Sequence, residues 1–176
     1  MSKTINVILT GGVGSRLWPL SRKSQPKQYI PLFEGRSLFQ LTAERNKAVA
    51  EHVIVVGNRD NHLLTQADLE KAQVENYTSI VEACPRNTAA AIAFAALAAQ
   101  PDDILIVTPS DHIIVDESAY TEAIQQAIAL ARGGYLVTFG ITPVKAETGY
   151  GYIEFQGNEV VSFREKPDAV TAQGFI

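Results

Sequence analysis

The 176-residue sequence has one cysteine, Cys84, one tryptophan, Trp18, and no Asp or Glu before Glu34. A lone cysteine excludes an intrachain disulfide and fits a reducing, cytoplasmic setting. Cys84 reads as a small core residue rather than a reactive thiol. No apolar run approaches the ~20 residues of a membrane span. Met1-Ser2-Lys3-Thr4 passes straight into the short apolar run Ile5–Leu9, without signal-peptide architecture. Repeats, low-complexity tracts and Pro/Gly/Ser-rich linkers are also lacking, so one domain with its own core is expected. Apolar residues make up 46% and charged residues 19%, as in a soluble globular protein.

The net charge of −4 argues against nucleic acid as a partner. Its distribution is uneven. Residues 1–33 carry Lys3, Arg16, Arg22, Lys23 and Lys27 with no acid, so this segment is +5 and the remainder −9. A cationic, glycine-containing stretch in an acidic chain suits a small anion, although a chance run of surface charge has the same composition.

Short β-rich runs alternate with helical patterns. Strands are expected at Ile5–Thr10, His52–Gly57, Thr78–Glu82, Ile104–Thr108 and Tyr135–Gly140. Ser37-Leu38-Phe39-Gln40 has the form of a capping box opening a helix to about Ala50. A second helix is expected from Asp60 to about Gln73. A third, Thr88–Gln100, would be capped by Asn87 and pack on the sheet through Ile92, Phe94 and Leu97. A fourth would run from the cap Asp116 to Arg132 and end at Gly133-Gly134. This order predicts an α/β fold: a doubly wound, mainly parallel sheet with right-handed crossovers. Tyr152–Gln156, the turn Gly157-Asn158 and Val160–Arg164 predict an antiparallel hairpin near the C-terminus, and Pro167–Ile176 has no clear partner.

The first strand runs into Gly11-Gly12-Val13-Gly14-Ser15-Arg16. Such glycines let the backbone approach a ligand and turn N–H groups on anionic oxygens, though a tight strand-to-helix turn also needs them. Arg16 adds a rigid fork suited to phosphate. The loop is not a P-loop, since no Gly-Lys-Ser/Thr ends it, nor a dinucleotide fingerprint, since the third glycine is missing. Asp111 follows the end of the strand Ile104–Thr108, where open α/β sheets bind ligands; it reads as a hard oxygen donor for Mg²⁺ or as a turn aspartate. His112 beside it is read as a hydrogen-bonded structural residue on the opposite face, His52 and His62 as surface or strand-edge residues, and Tyr150 and Tyr152 as packing residues. Arg22-Lys23 reads as a solvated turn, and Glu165-Lys166 taken alone as an exposed hairpin pair.

The blocks together carry a resemblance. Gly11 to Arg22, then Pro26-Lys27-Gln28 and Pro31-Leu32, resemble the sugar nucleotidyltransferase signature G-G-x-G-S/T-R-L-x-P-L followed by P-K-x. Pro85-Arg86-Asn87-Thr88-Ala89, Pro109-Ser110-Asp111-His112, Thr148-Gly149-Tyr150-Gly151-Tyr152-Ile153 and Phe163-Arg164-Glu165-Lys166-Pro167 match further blocks in order. Within that family, Trp18, Ser21-Arg22, Pro-Lys-Gln and Arg-Asn-Thr-Ala are most similar to the bacterial, longer mannose-1-phosphate guanylyltransferases. Pro85 and Ala90 depart from the Gly and Pro that members often carry there.

The resemblance implies a Rossmann-like fold and the joining of GTP and mannose 1-phosphate into GDP-mannose and pyrophosphate. It puts Gly11, Gly12 and Gly14 along the nucleotide, Arg16 and Lys27 on its phosphates as catalytic cations, and Arg86, Asn87 and Thr88 beside base and ribose. It gives Asp111 to Mg²⁺, Gly151 and Glu165 to the sugar, and Lys166 to the sugar phosphate. Family catalytic domains continue past the Glu-Lys-Pro block and bring a second acidic metal ligand from there, so a longer domain is expected. With sheet edge left to be covered, homo-oligomer formation is also expected.

Overall fold

The computed structural model describes residues 2–12, 17–84 and 86–176. They form two compact units, 1–135 and 136–176.

The first unit is built on four parallel strands: β1 (Thr4–Leu9), β2 (His52–Asn58), β3 (Tyr77–Glu82) and β4 (Ile104–Pro109), in the order β3-β2-β1-β4. Alternation along β1 and β2 splits the core in two, because successive side chains leave a strand on opposite faces. Ile8, Val53 and Val55 pack with Tyr29, Phe39, Ala43 and Leu69. Those partners come from a single 3₁₀ turn at Lys27–Tyr29 and from helices α1 (Leu38–Asn46) and α2 (His62–Lys71). On the other face Ile5, Val7, Ile54 and Val56 pack with Ala91 and Ala95 of α3 (Asn87–Ala98). The sheet is therefore doubly wound, as the alternating pattern predicts. A long helix, α4 (Glu117–Arg132), is held to α1 by the Tyr120 hydroxyl, which donates to Asn46 Oδ1 at 2.7 Å, and by Arg45 over the Tyr120 ring.

Helix ends follow local chemistry. Ser37 accepts the Gln40 amide at 2.9 Å, but the Gln40 side chain turns to Glu44, so only half of the capping box forms. Asp116 accepts the Ala119 amide, and Gly133-Gly134 closes α4. Asn87 is not a cap. The helix begins at Asn87 itself, with φ +64°, a left-handed conformation that asparagine tolerates better than most residues.

Three further expectations fail. Tyr135–Gly140 is not a strand, and Tyr135, Leu136 and Phe139 are exposed. A β-rich run becomes a strand only where a ladder accepts its amides, and none does so among the described residues. On α3 the buried face is Ala91 and Ala95, while Phe94 and Leu97 face outward. Small side chains let the helix lie close to the sheet, and a helix apolar on all sides shows no stripe to choose from. Cys84 is exposed in the turn after β3 rather than in the core.

The second unit is the antiparallel hairpin β5 (Gly151–Gln156) and β6 (Glu159–Glu165), with Gly157 at φ +62° in its turn. The segment without an expected partner forms α5 (Ala169–Gly174). Asp168 caps it by accepting the Thr171 amide, and Phe175 lies against Tyr152 with ring centroids 5.2 Å apart.

Candidate functional site

In the order β3-β2-β1-β4, the chain leaves β1 toward β2 on one side and later returns to β4 on the other. The switch point lies between β1 and β4, and open α/β sheets bind ligands in the crevice outside the carboxyl ends of such strands. Gly11-Gly12 leave β1 there, and Ser110-Asp111 leave β4. Below them Asn6, fully buried in β1, donates to Ile106 O at 3.0 Å and Thr108 Oγ1 at 2.9 Å and fastens the two strands.

The end of β1 is held tightly. The Thr10 amide and hydroxyl both donate to Val56 O, at 2.9 and 3.2 Å. Gly57 is required opposite, because a Cβ there would run into the Thr10 hydroxyl. The exposed glycines follow, with Gly12 at φ +102°, which L side chains rarely adopt. Just past β4 the Ser110 amide donates to Leu9 O at 3.2 Å, the last link between the strands before Asp111.

Lys27 enters from the 3₁₀ turn, and its ammonium is paired with the Asp111 carboxylate; both side chains are about one-third exposed or less, at 32% and 26%. His112 lies 3.9 Å from the same carboxylate with an exposed side chain. It is neither buried nor on an opposite face, because β4 ends at Pro109 and strict alternation lapses in the turn beyond it. His52 and His62 behave as expected of strand-edge and surface residues: His52 bonds Asn76 and Thr78, and His62 meets Ser79. Two residues after Lys27, burial pushes the Tyr29 phenol above its ordinary pKa; hydrogen bonds to Thr65 and Thr10 pull the other way.

The structure thus brings Gly11, Gly12, Lys27 and Asp111 to one crevice, while Gly14 and Arg16 lie outside the described residues. Arg86, Asn87 and Thr88 are exposed at the start of α3, after β3. Trp18 and the Arg22-Lys23 turn border an open groove of about 590 Å³ with Ser24 and Asp60. Gly151, Glu165 and Lys166 sit together at one end of the hairpin in the second unit. Gly151 pairs with Glu165, the Lys166 amide donates to Tyr150 O at 3.0 Å, and the Lys166 ammonium lies 3.0 Å from Glu165 Oε1. Tyr152 packs and bonds Glu147, whereas Tyr150 is exposed. Gln28, a fully buried amide beside Lys27, carries no signal in the sequence beyond its place in the Pro-Lys-Gln triplet.

Among the described residues no three His, Cys, Asp or Glu side chains converge as a metal cluster. Mg²⁺ is usually held by one or two carboxylates together with phosphates and water, and Asp111 at the crevice mouth is an oxygen donor of that kind. The described helices include none long and apolar enough to cross a membrane.

A parallel sheet clad on both faces, with Gly11-Gly12 and a carboxylate–ammonium pair at its switch point, defines a doubly wound α/β protein with a ligand crevice. The nucleotidyl transferase family model matches residues 5–176, and the chain belongs to that family. It is 46% identical over 184 residues to xanthan biosynthesis protein XanB of Xanthomonas campestris pv. campestris, which covers 100% of this chain and 39% of that protein. It is 44% identical to mannose-1-phosphate guanylyltransferase RfbM of Salmonella typhimurium, over 97% of this chain and 38% of that protein. The chain therefore spans about two fifths of these relatives' length. The crystal structure of mannose-6-phosphate isomerase from Helicobacter pylori superposes with a TM-score of 0.86 at 38% identity, over 97% of this chain and 64% of that chain.

Proposed function

We propose that the protein containing this chain transfers GMP from GTP to mannose 1-phosphate, giving GDP-mannose and pyrophosphate. The observation that carries this reading is the meeting of Gly11-Gly12, Lys27 and Asp111 at the sheet's switch point. Family membership supports sugar-phosphate nucleotidyl transfer, and relatives named for mannose phosphates support the sugar.

A phosphate oxygen of mannose 1-phosphate attacks the α-phosphorus of GTP in line. The new O–P bond forms as the bond to the β-phosphate oxygen breaks, and pyrophosphate leaves. The second pKa of a phosphate monoester is near ~6, so the nucleophile is already ionised at neutral pH and no general base is needed. Catalysis is then positioning and charge neutralisation. The glycine-turn amides, Arg16 and Lys27 hold the triphosphate, Lys166 the sugar phosphate, and Gly151 and Glu165 the sugar. Arg86, Asn87 and Thr88 border base and ribose. Asp111 would hold Mg²⁺, which when bound neutralises phosphate charge.

The test is pyrophosphate release by the full-length protein with GTP, dTTP, UTP and ATP against mannose 1-phosphate and glucose 1-phosphate. GTP with mannose 1-phosphate should be turned over fastest. Preference for another pair would move the protein to a sister specificity, and no release with any pair would make it a nucleotide-sugar sensor.

A further inference from the structure

Gln28 is a polar residue with 1% exposure, placed between the Lys27 cation and the core residue Tyr29. Burying an amide is costly unless it is hydrogen-bonded. Gln28 Nε2 donates to the carbonyl of Thr10 at 3.0 Å. Thr10 is the last residue before Gly11-Gly12 and is itself fully buried. Its other groups are already fixed: amide and hydroxyl bind Val56 O, and the missing side chain of Gly57 leaves room for them.

The turn that carries Lys27 is otherwise closed on itself, through Tyr29 N to Pro26 O and Ile30 N to Lys27 O. Tyr29 anchors its far side, with its hydroxyl 2.7 Å from Thr65 Oγ1 and its ring on Phe39. Successive side chains of a 3₁₀ turn point about 120° apart, since the turn has about three residues. Lys27 can therefore face the crevice while Gln28 and Tyr29 face inward.

We propose that Gln28 is a positioning residue for the transfer reaction: by tying its turn to the Thr10 carbonyl, it keeps the Lys27 ammonium in register with Gly11-Gly12. This rests on the functional reading above. Small displacements of a charge-neutralising group are expensive in rate, about 100-fold per ångström in sensitive sites.

The experiment is a double-mutant cycle on the full-length protein, read by pyrophosphate release. Gln28→Met keeps length and apolar volume and removes the donor. It should lower kcat about tenfold with the KM for mannose 1-phosphate unchanged. In a Lys27→Ala background the same change should cost less than about twofold, because the group it positions is gone. Gln28→Leu, a second side chain of similar volume without the donor, should show the same masking. A wild-type kcat in Gln28→Met, or a full tenfold loss that persists without Lys27, overturns the proposal; the latter would mark Gln28 as purely structural. Should Gln28→Met fail to fold, the Gln28→Leu cycle decides alone. Activity with a different triphosphate would revise the base and leave the cycle intact, whereas inactivity with every triphosphate would overturn both readings.

Discussion

The Lys27 ammonium lies on Oδ2 of Asp111, so two residues from opposite sides of the switch point are paired at its mouth. An ammonium on the Asp111 carboxylate repels a divalent cation brought to the same group, so Lys27 and a metal compete for its charge. With Asp111 as the metal donor, an arriving triphosphate would draw Lys27 toward itself. Asp111→Asn should therefore lower Mg²⁺-dependent transfer on the order of 100-fold. Lys27→Met should strengthen binding of Mn²⁺ alone, read by the fall of the free-ion EPR signal. Unchanged Mn²⁺ affinity would show that the pair does not compete with metal.

In the hairpin, Lys166 stands at φ +43°, where a Cβ is strained, and carries the ammonium assigned to the sugar phosphate. Lys166→Ala and Lys166→Gly should both raise the KM for mannose 1-phosphate by about tenfold. The glycine variant should melt at the higher temperature of the two, because it relieves the backbone. Equal KM values for both variants and wild type would remove Lys166 from the site.

Gly151 is constrained from the side-chain direction. An added Cβ would strike the Phe163 ring and come within 3.0 Å of Glu165 Oε2. Gly151→Ala should therefore displace Glu165 and weaken sugar-phosphate binding, with little effect on GTP affinity. Calorimetric titration of each substrate separates the two.

Asp103 accepts the Lys3 amide at 2.7 Å and the Gln100 amide at 3.0 Å, and these bonds, Lys3 first, hold its pKa below the ordinary aspartate value. A depressed carboxylate stabilises the fold above its unfolded-state pKa, and that contribution is lost as pH falls through the folded-state value. Asp103→Ala should melt below wild type at neutral pH, and the gap should close as pH drops beneath the usual aspartate range. A gap independent of pH would contradict this.

On α3 the direction of packing is testable. Ala95, fully buried against the sheet, should resist enlargement: Ala95→Leu should cost about 1–3 kcal/mol. Leu97→Gln, on the exposed face, should stay within about 0.5 kcal/mol of wild type in urea unfolding.

That contrast also explains what could be read from the chain. Strand and helix order was legible because Ile5–Leu9 and His52–Gly57 are continuous β-rich runs and because Ser37, Asp116 and Gly133 punctuate helices locally. The face of α3 was not, since its apolar residues occupy every side. Tyr135–Gly140 misled because strand formation depends on a partner edge, which no local pattern records. At the site, Gly11-Gly12 and Asp111 were legible from their places after strands, whereas the Gln28–Thr10 bond joins residues that only the folded chain brings together.

Pro109 closes β4 and has no amide hydrogen. The amides of Ile104 and Ser110 point toward β1, so by the two-residue repeat those of Leu105 and Val107 point away from it. In native-state hydrogen exchange, Leu105 and Val107 should exchange faster than Ile106 and Thr108 unless another strand lies along that edge. Any strand that did so would meet its last donor at Val107, because Pro109 offers none. One donor is thus missing from that edge just before Ser110-Asp111, and a strand added there would be held less firmly beside the mouth of the crevice than along the body of β4.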